Sequence, residues 1–249
     1  MTFKRTLIGL ATATAAATLF AVPAIAQTIK IGVVNTYSGP TAAQGDQIDK
    51  GIKLFLKLNG DKLPPGVKVE IHANNDSKME PRMVTGTGVR TRFCRTLLEC
   101  TAVINVHLVK DHSICGYTGA LKNMTHGTTL NPQDFHVHHA SPQIALLYAQ
   151  DAIKSRVRLN IADAFKVMYD GGPLYKKPEH VVPYEAVLAS TDPVAIDAIG
   201  WEIVEEHRKR SKMRSLTDEG RAPAYIKGAA DLGLGIADRS KIELHEAKV

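Results

Sequence analysis

The part of the chain that decides its fold is residues 104–139, INVHLVKDHSICGYTGALKNMTHGTTLNPQDFHVHH. Its first residues complete an apolar run, 101–109, which predicts a buried strand. Charged residues follow at positions 110–112, and a glycine-flanked turn then leads to Lys122 and Asn123. Open α/β sheets build their sites where buried strands end and release polar groups into loops. We therefore predict a functional site at the end of this strand.

The first candidate site combines ammonium, imidazole, amide and carboxylate groups: Lys110, His112, Lys122, Asn123 and Asp163. If the lysines, the histidine and the amide converge on one pocket with His136, they suit an anion such as a carboxylate or phosphate. Asp163 lies near the end of a second predicted strand, where it is a candidate general acid–base group or hard-metal ligand. The alternative is a structural network in which the lysines pair with Asp111, Asp134 or Asp163.

A second candidate site is a metal centre built from histidines. In an extended FHVHH segment, residues 135–139, the side chains of His136 and His138 point to the same side of the chain. With Asp134 or another histidine completing the shell, they could chelate Zn²⁺ or another divalent metal such as Cu²⁺. The alternative is a set of exposed or hydrogen-bonded histidines in a polar loop, because the spacing matches no closed ligand set.

The composition limits the class of protein. A chain of 249 residues, 44% hydrophobic and 22% charged, can bury one sizeable core, so we expect one domain or one domain plus a fragment. The formal charge of +6 is spread along the chain. Its densest basic run, residues 207–212, ends a helix pattern and has no interleaved aromatic residues, which disfavours nucleic acid as a partner. The cysteines form no C-x-x-C pair, so we expect no zinc ribbon and no cysteine-ligated iron–sulfur cluster.

The first residues have the pattern of an export signal. Lys4 and Arg5 precede an apolar run, 7–22, and small residues stand at 24–26. This predicts a signal peptide over residues 1–26, cleavage before Gln27, and a periplasmic or secreted protein. The alternative is an uncleaved membrane anchor, for which the apolar run is short.

Residues 27–77 predict a βαβ unit, with strands at 28–34 and 67–71 and a helix at 43–58. The sequence IKIGVVNTYSGPTAAQGDQIDKGIKLFLKLNG, followed by VKVEIHANND, resembles the opening of the periplasmic branched-chain amino-acid (leucine, isoleucine and valine) binding proteins of ABC transporters. That resemblance implies ligand contacts from Ser38 and Gln44 and a transporter membrane component as a partner. In that family a tyrosine commonly stands at the position of Gln44, and the second lobe of the family is missing here.

Residues 91–249 resemble another family, known as domain of unknown function 362. The matching motifs are INVHLVKDHSICGYTGALKNMTHG, NPQDFH, RLNIADAF, GGP, LASTDPVAIDAIG and AADLGLG. Members of this family are often exported, and some carry iron–sulfur segments that have no counterpart in this chain. Residues 78–90 have no clear periodicity and predict a linker or junction between the two resemblances.

Together these patterns predict an α/β fold with a mainly parallel sheet and flanking helices. It would consist of a βαβ fragment of a periplasmic-binding lobe and an incomplete α/β domain. The function we expect is a site for a small anionic ligand, with assistance from a divalent metal left open. The alternatives are a solute-binding component of a branched-chain amino-acid ABC transporter and a non-functional fusion of two incomplete domains.

Overall fold

The computed structural model describes residues 27–34, 42–74, 79–83, 90–174 and 177–248. The predicted signal peptide, residues 1–26, therefore lies outside the described residues, and so does Ser38. Within these ranges, no helix combines the length and the apolar character needed to cross a membrane.

Eight strands and seven helices occur in the described ranges. The strands are β1 (Gln27–Val34), β2 (Val67–Asn74), β3 (Met79–Met83), β4 (Arg90–Cys94), β5 (Val103–His112), β6 (Gly116–Thr118), β7 (Val157–Met168) and β8 (Val181–Ser190). The helices are α1 (Ala42–Asn59), α2 (Arg95–Glu99), α3 (Ala120–Gly127), α4 (Gln143–Tyr148), α5 (Asp151–Lys154), α6 (Pro193–Arg210) and α7 (Ala224–Asp231). The mixture of helices and strands confirms the predicted α/β class.

The first unit is the predicted βαβ arrangement. Strands β1 and β2 pair in parallel with α1 between them in sequence. The predicted linker is partly structured, because β3 lies within residues 78–90 and pairs antiparallel with β4. Backbone pairing between β3 and β4 thus replaces part of the irregular segment that the glycine and proline content predicted.

The second unit contains a four-stranded sheet in the order β6-β5-β7-β8. Its central pair, β5 and β7, is parallel, while both edge strands are antiparallel to their neighbours. Strand β6 has to be antiparallel because only residues 113–115 separate it from β5, and a parallel return needs a much longer crossover. The sheet is therefore mixed, with parallel pairing at its centre.

Helices cover one face of this sheet, and strand β5 alternates accordingly. On the covered face, Asn105 and His107 are buried, together with Val109. On the other face Ile104 and Val106 are 63% and 61% exposed. The apolar run 101–109 predicted a buried strand, and this is true of one face only, because no described element covers the second face of β5.

The core lies between the covered face and helices α3, α4, α6 and α7. The Asp192 carboxylate caps helix α6 by accepting hydrogen bonds from the backbone N–H groups of Val194 and Ala195, both at 2.8 Å. No disulfide joins the described cysteines, Cys94, Cys100 and Cys115.

Candidate functional site

The site begins at the hairpin between β5 and β6. His112 ends β5 and pairs with Gly116 across a three-residue turn. Gly116 has a φ of +72°, and a Cβ atom there would lie 2.0 Å from the carbonyl oxygen of Arg221. Glycine is therefore required for the chain to turn at this point.

Helix α3 carries two further side chains of the site, and a carboxylate from another helix holds its first turn. Asp197 of α6 is fully buried and accepts hydrogen bonds from the backbone N–H groups of Ala120 at 2.5 Å and Leu121 at 3.0 Å. A Cβ atom at Gly119 would lie 2.1 Å from Oδ1 of Asp197, so this close approach depends on glycine. Burial raises the pKa of Asp197 to about 7, against the opposing effect of the two N–H donors.

A chain of amide side chains joins the same helix to the sheet. Asn123 donates from Nδ2 to Oδ1 of Asn105 at 2.7 Å and to the carbonyl of Val106 at 3.1 Å. Asn105 in turn donates to Oδ1 of Asn160 at 2.9 Å and to the carbonyl of Ala120 at 3.0 Å. Asn123, predicted to contact a ligand, therefore fastens α3 to β5 instead of lining the pocket.

Three of the predicted side chains do meet at one cavity of about 290 Å³. Its lining residues are His112, Ser113, Ile114, Lys122, His126, Pro132, Gln133, His136 and Pro173. We call the cavity with its four basic side chains, His112, Lys122, His126 and His136, the histidine–lysine pocket. The lining, as far as the described chain forms it, contains no carboxylate.

The three imidazole rings are packed together. The ring centroids of His112 and His136 are 5.2 Å apart in a stacked arrangement, and those of His126 and His136 are 4.6 Å apart, edge to face. Rings at such distances share one electrostatic environment, so charging one of them opposes charging the others.

Burial and the neighbouring ammonium group keep these histidines neutral. Burial, with Lys122 as the next cause, lowers the pKa of His112 to about 3 and that of His126 to about 2. The pKa of His136 is lowered by the same two causes. Burial also lowers the pKa of Lys122, which is only 7% exposed. The pocket is thus rich in hydrogen-bonding nitrogen atoms, and its described lining contributes no counter-charge.

The acids considered as partners of the two lysines bind other groups. Asp111 accepts from Arg221, and Asp134 accepts from Nδ2 of Asn131 at 2.7 Å. Asp163 accepts from the backbone N–H of Phe165 at 3.0 Å and lies on the exposed face of the sheet, away from the pocket. Neither Lys110 nor Lys122 forms an ion pair with a carboxylate of the described residues. The described residues therefore do not form the structural network that was the alternative for these two lysines.

Lys110 does not line the cavity but lies near it. It is partly buried, burial lowers its pKa, and its charge contributes to the lowered pKa values of His112 and Lys122.

The two predicted ligand contacts of the N-terminal unit lie largely outside the described residues. Gln44 belongs to α1, but its side chain lies outside the described part of the structure, as does the whole of Ser38.

The residues predicted to bind a metal are not brought together. Residues Pro132–Ala140 form 3₁₀ turns instead of an extended strand, and His138 has a left-handed φ of 50°. His136 consequently turns towards the cavity, whereas His138 and Asp134 are exposed. Among the described residues, no group of three or more histidine, cysteine, aspartate or glutamate side chains is placed to hold a metal ion.

His126 is the pocket residue that the sequence patterns left unassigned. It follows Lys122 by four positions on α3, so both side chains lie on one face of the helix. That spacing is a usable signal, but only once α3 is recognised as a helix. The sequence contains no comparable signal for Asp197, whose role depends on the packing of α6 against α3.

Comparison with known proteins identifies a family but no individual relative. The family model described as domain of unknown function (DUF362) matches residues 53–202. The match begins within α1 and continues through residues 78–90 into the four-stranded sheet. No curated protein and no solved structure matches the chain, and the resemblance to branched-chain amino-acid binding proteins is not confirmed.

Proposed function

We propose that the histidine–lysine pocket binds a small anionic ligand. The chain belongs to the family domain of unknown function (DUF362). Because the description of that family names no activity, the proposal rests on the site itself. The observation that carries the proposal is Lys122, a buried ammonium group beside a cavity whose described lining contains no carboxylate.

A buried cation without a counter-charge is costly. Transferring an ammonium group out of water costs several kcal/mol, and a protein keeps such a group where a partner recovers the energy. Asp111, the nearest acid along β5, is occupied by Arg221. An anion in the cavity would supply the missing charge, and His112, which lines the same cavity, adds a hydrogen-bonding ring.

The size and lining of the cavity favour a small ligand. A volume of about 290 Å³ is at the lower end of ligand pockets, which are typically about 300–1,000 Å³. Ile114, Pro132 and Pro173 supply apolar contacts, so a carboxylate or phosphate with a short organic group fits this lining. A divalent metal is the weaker proposal, because Lys122 would repel it.

Replacing Lys122 tests the proposal. Lys122→Met keeps most of the side-chain volume and removes the charge, so anion affinity should fall about 10- to 100-fold, as expected for a lost charge-assisted hydrogen bond. Calorimetric titration of the folded chain with sodium salts of small carboxylates and phosphate measures this. The matched control is Lys209→Met, an exposed lysine on α6 that should leave affinity unchanged. Equal affinities in the parent and the Lys122 variant would refute the proposal.

We also propose that the protein is exported, on the basis of its first 26 residues. The basic start, the apolar run and the small residues before Gln27 support this. Recovery of a chain beginning at Gln27 from the periplasmic or extracellular fraction is the expected result, and a cytoplasmic chain that retains Met1 would contradict it.

A second candidate function is amino-acid binding for an ABC transporter. Its support is the parallel pairing of β1 and β2 around α1, the arrangement that the resemblance of residues 27–77 implies. A saturable calorimetric signal with leucine, lost on replacing Ser38 and Gln44, would favour this function. If titration with leucine, isoleucine and valine gives no heat of binding, this function is excluded.

A further inference from the structure

The hydrogen bonds of His112 fix which of its ring nitrogens carries the proton. The backbone N–H groups of Ile114 and Cys115 lie 3.2 and 3.4 Å from Nδ1. Because a backbone N–H can only donate, Nδ1 must accept, and the proton of the neutral ring is on Nε2. His112 therefore acts as an N–H donor through Nε2.

His136 has the opposite arrangement. Its Nδ1 atom lies 3.1 Å from the carbonyl oxygen of Pro132, which can only accept. Nδ1 consequently carries the proton, and Nε2 of the neutral ring has a free lone pair. His136 is thus a hydrogen-bond acceptor through Nε2.

His126 also carries its proton on Nδ1, and this follows from the hydrogen bonds of Thr125. Nδ1 of His126 lies 3.1 Å from Oγ1 of Thr125, whose hydroxyl donates to the carbonyl of Leu121 at 3.0 Å or of Lys122 at 3.2 Å. With its proton used in this way, Oγ1 accepts from Nδ1–H of His126, which leaves a lone pair on Nε2. That Nε2 atom is buried and has no hydrogen-bond partner within the described ranges.

The pocket therefore presents both donors and acceptors. Lys122 and Nε2–H of His112 donate, whereas Nε2 of His126 and Nε2 of His136 accept. Sulfate and simple carboxylates satisfy donors only, and their oxygen atoms would face the two lone pairs with repulsion. An anion that carries its own hydroxyl group satisfies both sets.

We infer that the ligand of the histidine–lysine pocket is an oxyanion with a hydroxyl group, either hydrogen phosphate or a small hydroxycarboxylate. This inference rests on the proposed function, since it specifies the chemistry of the same ligand. The charged oxygen atoms bind Lys122 and His112, and the hydroxyl group donates to His136 or His126. Selectivity then comes from the acceptor nitrogens, and affinity comes mainly from the ammonium group.

Two matched pairs of salts test the inference at pH 8. Phosphate and sulfate are both dianions of similar size at this pH, but only phosphate keeps a proton, and glycolate differs from acetate by one hydroxyl group. The measurement is calorimetric titration of the folded chain at constant ionic strength. In at least one pair the hydroxylated anion should bind about tenfold or more tightly: phosphate more tightly than sulfate, or glycolate more tightly than acetate. The pair that shows the larger ratio identifies the source of the hydroxyl group.

Variants at the acceptor histidines sharpen the test. In the double variant His126→Gln/His136→Gln both acceptors are lost, because each carboxamide can turn its NH₂ group towards the ligand, so the preference for the hydroxylated anion should fall to about twofold or less. The two single variants show which histidine accepts the hydroxyl group, and cooperative unfolding of each variant excludes a folding defect as the cause of the loss. His138→Gln is the control, because this histidine is exposed and does not line the cavity, and it should keep the parent preference.

The possible failures are distinguishable. Equal, Lys122-dependent binding of both members of each pair would overturn this inference while leaving the proposed anion site intact. Absence of binding for all four salts in a chain that unfolds cooperatively would overturn the proposed function as well.

Discussion

Two neighbouring clusters of charged residues are built from consecutive positions of β5, and they handle charge in opposite ways. Asp111 enters an arginine–carboxylate network, which we define as Asp111, Asp170, Glu219, Arg208 and Arg221. His112, the next residue, enters the histidine–lysine pocket. In the network every carboxylate meets a guanidinium group, whereas in the pocket Lys122 meets no described carboxylate.

The network is satisfied by the protein itself. Arg208 is fully buried and donates to the carbonyls of Tyr169 at 3.1 Å and Arg214 at 3.0 Å as well as to Glu219. Arg221 donates to Asp111 and to the carbonyl of His112 at 3.1 Å. Such a network stabilises the loops after β5 and β7 and has little capacity left for a ligand. The pocket has the reverse properties, so an unbalanced charge, more than charge itself, distinguishes the proposed ligand site from the network.

The largest expected effect comes from breaking the network at its most buried cation. Arg208→Met leaves Glu219 without this partner and two backbone carbonyls without donors, and should lower the free energy of unfolding by about 3–5 kcal/mol. Lys122→Met, the matched change in the pocket, removes an uncompensated charge and should change that free energy by less than about 1 kcal/mol, or raise it. Urea denaturation followed by circular dichroism at pH 7.5 measures both.

The difference between the two variants is the decisive quantity. If Lys122→Met destabilises the protein as much as Arg208→Met, Lys122 is part of a structural ion network and the contrast between the two clusters disappears. If Arg208→Met is harmless, the network does not stabilise the fold in the way its hydrogen bonds imply.

Much of the fold was predictable because local patterns match the elements that formed. Helix α1 was expected at 43–58 and spans Ala42–Asn59, and the cap at Asp192 followed from the residue types at the start of α6. Strand β5 was harder. Its apolar residues predicted a buried strand, yet Ile104 and Val106 lie on an open face, because an apolar run cannot show whether a second layer is present.

The site was predictable in part for a similar reason. His112 and Lys122 come from a strand end and the following helix, so a general rule for α/β sheets placed them correctly near one another. His136 and His138 were separated because residues 132–140 form 3₁₀ turns, a result of tertiary packing that an alternating pattern does not reveal. Asp197 was missed since its partners, Ala120 and Leu121, are far away in sequence.

A smaller effect on the free energy of unfolding is expected from a change of pH, and it reports on a histidine of the pocket. His126 has a pKa of about 2 in the folded chain, well below the ordinary value of 6.5, owing to burial and Lys122. As the pH falls through 6.5, His126 binds a proton in the unfolded chain but stays neutral in the folded chain, so the free energy of unfolding decreases. One such histidine accounts for about 1.4 kcal/mol between pH 7.5 and 5.5.

The test compares the parent chain with His126→Gln over this range. Urea denaturation should show the parent losing about 1.4 kcal/mol more than the variant between pH 7.5 and 5.5. Asp197 contributes with the opposite sign, because its raised pKa makes stability fall as pH rises towards 7, but it is present in both chains and cancels in the difference. Parallel pH profiles would show that His126 is not held neutral in the folded protein.

The smallest effect should come from His138, which stands two residues after a pocket histidine but outside the pocket. Its ring is exposed, and its left-handed backbone suits asparagine, so His138→Asn should change the free energy of unfolding by no more than about 0.5 kcal/mol. Anion affinity and the response of the melting temperature to Zn²⁺ should equal those of the parent. If Zn²⁺ instead stabilised the parent and this variant lost the effect, His138 would belong to a metal site with His136. The extended arrangement predicted for residues 135–139 would then be the one that binds ligand, and the contrast between a paired network and an unpaired pocket would no longer locate the function.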